Sequence, residues 1–174
     1  RRELELLREA VPNARRFAVL ANAADPFTPA FLRLLQASAR AARVELNEAR
    51  VNPSDDLRSA FAGFVRLRAH GLVVQPSLVG PKVAELAFEY RLASVSGFRA
   101  FAERGGLMSY SLHQRENFVQ TARYVDLILK GANPADLPVA AATRFELVIN
   151  LGTAKRLGID MPPSLLIRAD ELIE

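Results

Sequence analysis

The sequence predicts a three-layer α/β fold, a parallel β-sheet with helices on both faces. Three observations carry that expectation. From about Arg15 onward, short β-branched or apolar runs alternate with amphipathic helical stretches, the rhythm of successive βα units. Two of the helical stretches carry recognisable start signals. And 174 residues, of which 50% are hydrophobic and 24% charged, suffice to bury the core of an ordinary domain.

The first strand is expected at Phe17-Ala18-Val19-Leu20. The helix after it places Phe27, Phe31, Leu34, Leu35, Ser38 and Ala42 on one face, starting at Asp25-Pro26 or Thr28-Pro29. Val44-Glu45-Leu46 follows as a strand. Ser54 and the aspartates Asp55 and Asp56 then open a helix with Leu57, Ala60, Phe61, Phe64 and Val65 inward. Leu72-Val73-Val74 is the third strand. A helix from Pro81 to Arg91 turns Val83, Leu86, Ala87 and Tyr90 to the core, and Leu92-Ala93-Ser94-Val95 is the fourth strand, ending at Gly97. Beyond Gly105-Gly106, Leu107-Met108-Ser109-Tyr110 is a short fifth strand before a long helix from Gln114 to Lys130 that stops at Gly131. The turn-rich segment Asn133 to Pro138 leads to a last strand, Phe145 to Ile149. A short helix to Gly158 and a helical turn or two after Pro162-Pro163 complete the expected elements.

Composition narrows the function classes. The absence of cysteine excludes disulfides and thiolate chemistry. The net charge of +4 comes from arginines scattered along the chain with no basic block, which argues against a nucleic-acid surface. No run of about 18 apolar residues suggests a membrane span, and no signal-peptide pattern is seen, so the expectation is a chain beginning after any export signal. Catalytic patterns are also missing: no Gly-x-Gly-x-x-Gly follows the first strand, no Walker-type Gly-Lys-Ser/Thr occurs, and Ser96-Gly97 lacks the first glycine of a nucleophile elbow. His70 and His113 are far apart and show no ligand spacing, which predicts surface or capping roles and no metal. Asp55 and Asp56, adjacent at a helix start, favour the helix dipole over a catalytic dyad. The expectation is a binding protein without enzymatic activity or cofactor.

Ligands of parallel α/β sheets bind beyond the carboxyl ends of the strands, where helix N-termini offer unpaired N–H groups. That rule selects Asn22 to Asp25, Gln75-Pro76-Ser77, Ser96-Gly97-Phe98 and Ser109-Tyr110-Ser111, and from these Asn22, Asp25, Ser77, Phe98 and Tyr110 are the candidate ligand-binding residues. Neutral donors and acceptors, two aromatics and one carboxylate suit a small polar or zwitterionic solute. Each residue also has a structural alternative. Asp25 can cap a helix, Asn22 can occupy a turn with positive φ, Ser77 can be a loop hydroxyl, and Phe98 and Tyr110 can be core aromatics.

The stretch Gly97-Phe98-Arg99-Ala100-Phe101-Ala102-Glu103-Arg104-Gly105-Gly106-Leu107-Met108-Ser109-Tyr110 resembles a Gly-Phe-Arg…Gly-Gly-Leu-Met-Ser-Tyr segment of the ABC-transporter substrate-binding family that includes tryptophan- and phenylalanine-binding members. The resemblance continues through Tyr124 to Pro138, Phe145 to Leu151 and Pro162 to Glu171. Two departures stand out: Asn22-Ala23-Ala24-Asp25-Pro26 replaces a frequent Asn-Pro-x-Asn-Pro, and Ser111 replaces a usual glycine. The resemblance implies one Rossmann-like lobe of a type I periplasmic solute-binding protein, with Asn22, Ser77, Phe98 and Tyr110 facing the cleft between two lobes. It further implies a small-molecule ligand, an amino acid or similar, an ABC transporter permease as partner, and a periplasmic or extracytoplasmic place. In these terms residues 1–111 form the Rossmann-like lobe, 112–138 an inter-lobe crossover helix and connector, and 139–174 the strand and helices completing the lobe. The alternatives are a ligand-sensing regulatory domain of the same fold and a doubly wound enzyme such as a racemase or flavodoxin-like protein. The apolar positions Phe118, Ala122, Val125 and Leu129 of the long helix, widened by Leu127 and Ile128, are expected to face the second lobe or, in its absence, a second copy of the chain.

Overall fold

A computed structural model of the chain describes residues 2–52, 57–138 and 144–174. Seven strands among these residues form one sheet: β1 (Arg16–Asn22), β2 (Glu45–Val51), β3 (Gly71–Val74), β4 (Ala93–Ser96), β5 (Met108–Leu112), β6 (Phe145–Asn150) and β7 (Glu171–Ile173), in the order β2-β1-β3-β4-β5-β6-β7. Strands β1 to β5 are parallel. The sheet is thus mostly parallel, as expected, with one reversal: β6 runs antiparallel to β5, and β7 is parallel to β6. Connectivity explains the reversal. The chain leaves β5 and re-enters the sheet at the same edge, where Leu112 pairs with Phe145 and the His113 N–H donates to the Arg144 carbonyl at 3.0 Å, so β6 can only run back.

Two further departures concern the chain ends. Helix α1 (Arg2–Ala10) was not anticipated, yet its Leu4, Leu6, Leu7 and Ala10 are all buried. After α7 (Leu151–Leu157), the helical turns expected beyond Pro162 are present as α8 (Pro163–Arg168), but the chain then continues into a strand, β7, which pairs with β6. The Glu9 carboxylate joins the two ends of the chain, accepting from Arg168 Nη1 at 2.8 Å and from Ser164 Oγ at 2.6 Å.

The alternation of side chains across the pleat divides the core in two. Phe17, Val19, Ala21, Val73, Val95, Met108, Leu147 and Ile149 point to one face, which is covered by α1, α8 and α2 (Thr28–Ala42). Ala18, Leu20, Leu72 and Val74 point to the other, under α3 (Leu57–Arg66), α4 (Pro81–Glu89) and the short α5 (Ala100–Glu103). On α2 the buried residues are Thr28, Leu32, Leu35 and Ala39, while Phe27 and Leu34 are 76% and 63% exposed, so the expected inward face is rotated. The reason is that α2 is apolar around more than half its circumference, and its small-residue side lies toward α1. On α3, Phe61 and Phe64 are buried as expected but Val65 is exposed; the start signal at Ser54, Asp55 and Asp56 lies outside the described residues.

Helices α2, α3 and α4 close alike. Arg43, Arg68 and Arg91 adopt left-handed φ values of 54°, 53° and 55°, and the next residue's N–H donates to a carbonyl five positions back: Val44 to Ala39, Ala69 to Phe64, Leu92 to Ala87. This is the Schellman closure, in which glycine is the usual left-handed residue. Here all three positions are exposed arginines.

Helix α6 (Gln114–Leu129) has no buried residue, and no helix among the described residues is long and apolar enough to cross a membrane. Its N-terminus is capped by His113 Nδ1, which accepts the Glu116 N–H, while His70 is exposed. Both histidines therefore have the surface and capping roles that their spacing suggested.

Candidate ligand-binding site

Strand order locates the site before any side chain is considered. From β1 the chain steps outward to β2 and then crosses back to β3, so α2 lies on one face of the sheet and α3 on the other. Between the carboxyl ends of β1 and β3 this divergence leaves a crevice, the usual ligand position in open α/β sheets. Register puts Leu20 of β1 beside Val74 of β3, Val74 beside Ser96 of β4, and Ser96 beside Ser109 of β5. Asn22, Ser77, Phe98 and Tyr110 all lie just beyond this line, on one edge of the sheet.

At the crevice Asn22, Asp25, Thr28, Gln75 and Ser77 form one hydrogen-bonded network. Gln75 is 3% exposed. Its Oε1 accepts the Asn22 backbone N–H at 2.9 Å and lies 2.9 Å from Thr28 Oγ1, while its Nε2 donates to Asp25 Oδ2 at 2.8 Å. Thr28 Oγ1 donates to the Asn22 carbonyl at 2.6 Å. Asn22 Oδ1 accepts the Ala24 N–H at 3.0 Å, and its Nδ2 stands 3.5 Å from Ser77 Oγ. Asp25 Oδ1 accepts the Phe27 N–H at 2.9 Å, shaping the turn that precedes α2, while the α2 N-cap position itself falls on Phe27. That hydrogen bond, followed by those from Ser77 and Gln75 and opposed by partial desolvation, holds the Asp25 carboxyl below its ordinary pKa. The carboxylate is therefore ionised throughout the neutral range. Asn22 ends β1 and does not have a positive φ, so the turn reading of that residue is set aside.

Apolar surface flanks the network. Phe27 is largely exposed, and Phe98, which follows β4, is 39% exposed. Tyr110 is half-buried and stacks on Phe145 with ring centroids 5.2 Å apart and planes 9° from parallel. Thus Asn22, Asp25 and Ser77 are brought together, whereas Phe98 and Tyr110 lie further along the same edge. Sequence reasoning passed over Thr28 and Phe27 as site residues, and it named Gln75 only as part of a loop. The signal was available in Gln75-Pro76-Ser77, because a glutamine directly after a buried apolar strand needs polar partners. Among the described residues no group of three or more His, Asp or Glu side chains could hold a metal ion.

A family model described as ABC transporter substrate binding protein matches residues 1–173. A conserved domain protein from Vibrio cholerae has a solved structure that superposes with a TM-score of 0.86 at 28% identity, covering 97% of this chain and 58% of its own. An ABC domain from Streptococcus pneumonia, solved in complex with L-Trp, gives a TM-score of 0.86 at 25% identity, with 99% and 59% covered. A substrate-binding protein from Clostridium difficile, in a ligand-free open form, gives 0.77 at 21% identity, with 98% and 58% covered. The chain thus spans less than two thirds of the length of each. A search of curated proteins finds no match.

Proposed function

Because the chain belongs to the ABC transporter substrate-binding protein family, we propose that its carboxyl edge is one wall of a cleft that captures an amino acid or a similar small solute for import, without chemical conversion. The observation that carries this reading is the network at the β1/β3 crevice: an ionised Asp25 fixed by Gln75, with Asn22 and Ser77 alongside and Phe27 and Phe98 exposed nearby. Asp25 is the partner for a ligand amine, Asn22 and Ser77 serve its polar groups, and Phe98 and Tyr110 flank its side chain. The L-Trp in the pneumococcal structure supports an amino-acid ligand with an apolar body. We assign residues 1–111 to the binding lobe, 112–138 to a crossover between lobes and 139–174 to the segment completing the lobe. The permease of an ABC transporter is the delivery partner, and the place of action is extracytoplasmic.

The reading is tested by titrating the 174-residue chain with L-tryptophan and with indole-3-propionate, which lacks the amine, under NMR observation. L-tryptophan should shift amides at residues 22–28, 75–77 and 97–98, and indole-3-propionate should bind more weakly. Asp25→Ala should abolish that preference. The sign with pH follows from the lowered Asp25 pKa: the amine contact is complete above the ordinary aspartate range and fades only as pH falls through the lowered value. Equal binding of the two compounds would overturn the role of Asp25. Affinity on this chain should be weak, because a cleft normally encloses most of its ligand.

Helix α6 bears on the same reading. Phe118 is 68% and Leu129 81% exposed, with Val119, Val125 and Ile128 also in solvent. In a two-lobed protein the second lobe covers this face; for the 174-residue chain alone we expect a second copy to do so. Burial of apolar surface is worth about 25 cal/mol per Å2, so a few hundred Å2 suffices to drive association. Light scattering should show dimers at micromolar concentration, and Val125→Glu should return monomers by burying an unpaired charge. A wild-type monomer at that concentration would sink self-association.

A further inference from the structure

Arg99 follows Phe98 directly and reaches three separate elements. Its Nε donates to Glu103 Oε1 on α5 at 2.7 Å, its Nη1 to Glu146 Oε2 on β6 at 3.2 Å, and its Nη2 to Glu171 Oε2 on β7 at 2.7 Å. One cation thus faces three carboxylates, which raises the guanidinium pKa further above its ordinary value, Glu171 contributing most. Of the three, Glu146 is buried, and its other carboxylate oxygen accepts from Ser111 Oγ at 3.4 Å. The planar guanidinium spreads its donors over three nitrogens, one for each carboxylate; a lysine ammonium also has three donors, but all on one nitrogen, so it cannot span these elements.

What Arg99 holds is the Gly97-Phe98 turn at the ligand edge. On its inner side the turn is already hemmed in, since a Cβ on Gly97 would lie 3.2 Å from Pro76 Cγ and 3.4 Å from Glu3 Oε1. On the outer side Arg99 fastens it to β6 and β7. Glu146 is the second residue of β6, next to Phe145, which stacks on Tyr110. Before it, Arg144 pairs with Glu116 of α6 at 2.9 Å and accepts the His113 N–H. The joint where α6 leaves the lobe and β6 returns is therefore two residues from the carboxylate that anchors Arg99.

We propose that Arg99 is a positioning residue that ties the Phe98 wall of the ligand edge to β6, so that Phe98 follows the α6/β6 joint. The ligand role of Phe98 rests on the function proposed above; the mechanical tie does not. Hydrogen exchange on the 174-residue chain tests the tie alone. In Arg99→Gln, amides 97–104 and 145–148 should exchange about tenfold faster or more, while those of β1 and β3 keep their protection. Arg99→Lys should fail to restore residues 145–148. Should Arg99→Gln not fold, Glu171→Gln removes one exposed leg of the fork and should give the same pattern with a smaller change. Unchanged exchange at 97–104, or acceleration spread evenly over the sheet, overturns the proposal. NMR titration tests the consequence. Arg99→Gln should weaken L-tryptophan several-fold while leaving L-alanine, which uses the Asp25 end only, within about twofold. Equal loss for both ligands would show that Arg99 serves general stability and overturn its positioning role. If wild-type chain binds neither amino acid, the ligand reading fails, and the exchange pattern still decides whether the tie exists.

Discussion

Gln75→Leu is expected to lower the stability of the chain by about 1–3 kcal/mol, the cost of leaving a buried donor without an acceptor. The substitution keeps the side-chain volume nearly unchanged and removes the acceptor of the Asn22 N–H and the donor to Asp25. The Thr28 hydroxyl retains its bond to the Asn22 carbonyl, so the stranded group is the backbone N–H at the end of β1. For a domain of this size that corresponds to a fall in melting temperature of roughly 2–12 °C, readable by calorimetry. L-tryptophan binding should weaken as well, because Asp25 loses one of the groups that aim it. Gln75→Glu provides the control. Glutamate keeps an acceptor for Asn22 but sets a second carboxylate where the Gln75 amide meets Asp25 Oδ2 at 2.8 Å. Like charges raise the pKa of such a pair. A carboxyl with a raised folded-state pKa binds more protons folded than unfolded, so the stability of Gln75→Glu should fall as pH rises from the ordinary glutamate range through the raised folded-state value. A variant as stable as wild type at pH 7 would show that Gln75 is not the anchor of the network.

Phe61→Ala is expected to cost about 3–5 kcal/mol, the usual range for removing a fully buried aromatic ring. Phe61 is 0% exposed and lies between α3, α4 and the sheet. Its ring meets Phe64 edge-on with centroids 5.9 Å apart and Tyr90 at 5.7 Å. Whole domains are stable by only about 5–15 kcal/mol, so this one substitution removes a large share. Urea unfolding should show a lower midpoint with an unchanged slope. Phe61→Leu, which refills most of the space, should cost under about 1.5 kcal/mol. The ligand edge lies away from this cluster, so L-tryptophan shifts at residues 22–28 should persist in both variants wherever they remain folded. A loss below about 1 kcal/mol for Phe61→Ala would mean that the space under α3 collapses freely, contrary to its packing.

These two residues mark the division between what was legible in the sequence and what was not. Phe61 is legible in the sequence because helical periodicity and hydrophobicity are local: Phe61 and Phe64, three residues apart on one apolar stripe, both face inward. The same locality located β1 to β6 to within a few residues, although β2 extends to Val51, well past the expected end at Leu46. The strand-end rule then named Asn22, Asp25 and Ser77 at the crevice edge. Gln75 and Arg99 escaped because their meaning lies in partners distant along the chain, 53 residues for Gln75 with Asn22 and 72 for Arg99 with Glu171. A polar residue in a sequence carries no record of which group will satisfy it.

By itself, then, the sequence determined the alternation of strands and helices, the identity of most core residues and the edge at which polar and aromatic groups gather, since each follows from periodicity over a few residues. Tertiary structure decided the rest. It chose which stripe of α2 is buried, Leu32, Leu35 and Ala39 over Phe27 and Leu34, because a helix apolar on several sides takes its orientation from the surface it meets. It turned β6 antiparallel, because strand direction is set by where the chain re-enters the sheet and not by the residues of the strand. It made a strand of Glu171–Ile173, whose backbone pairs with β6 where the local pattern suggested a helix. And it closed the Gln75 and Arg99 networks, because a buried amide and a multiply paired guanidinium become specific only when elements from distant parts of the chain place their partners within hydrogen-bond reach.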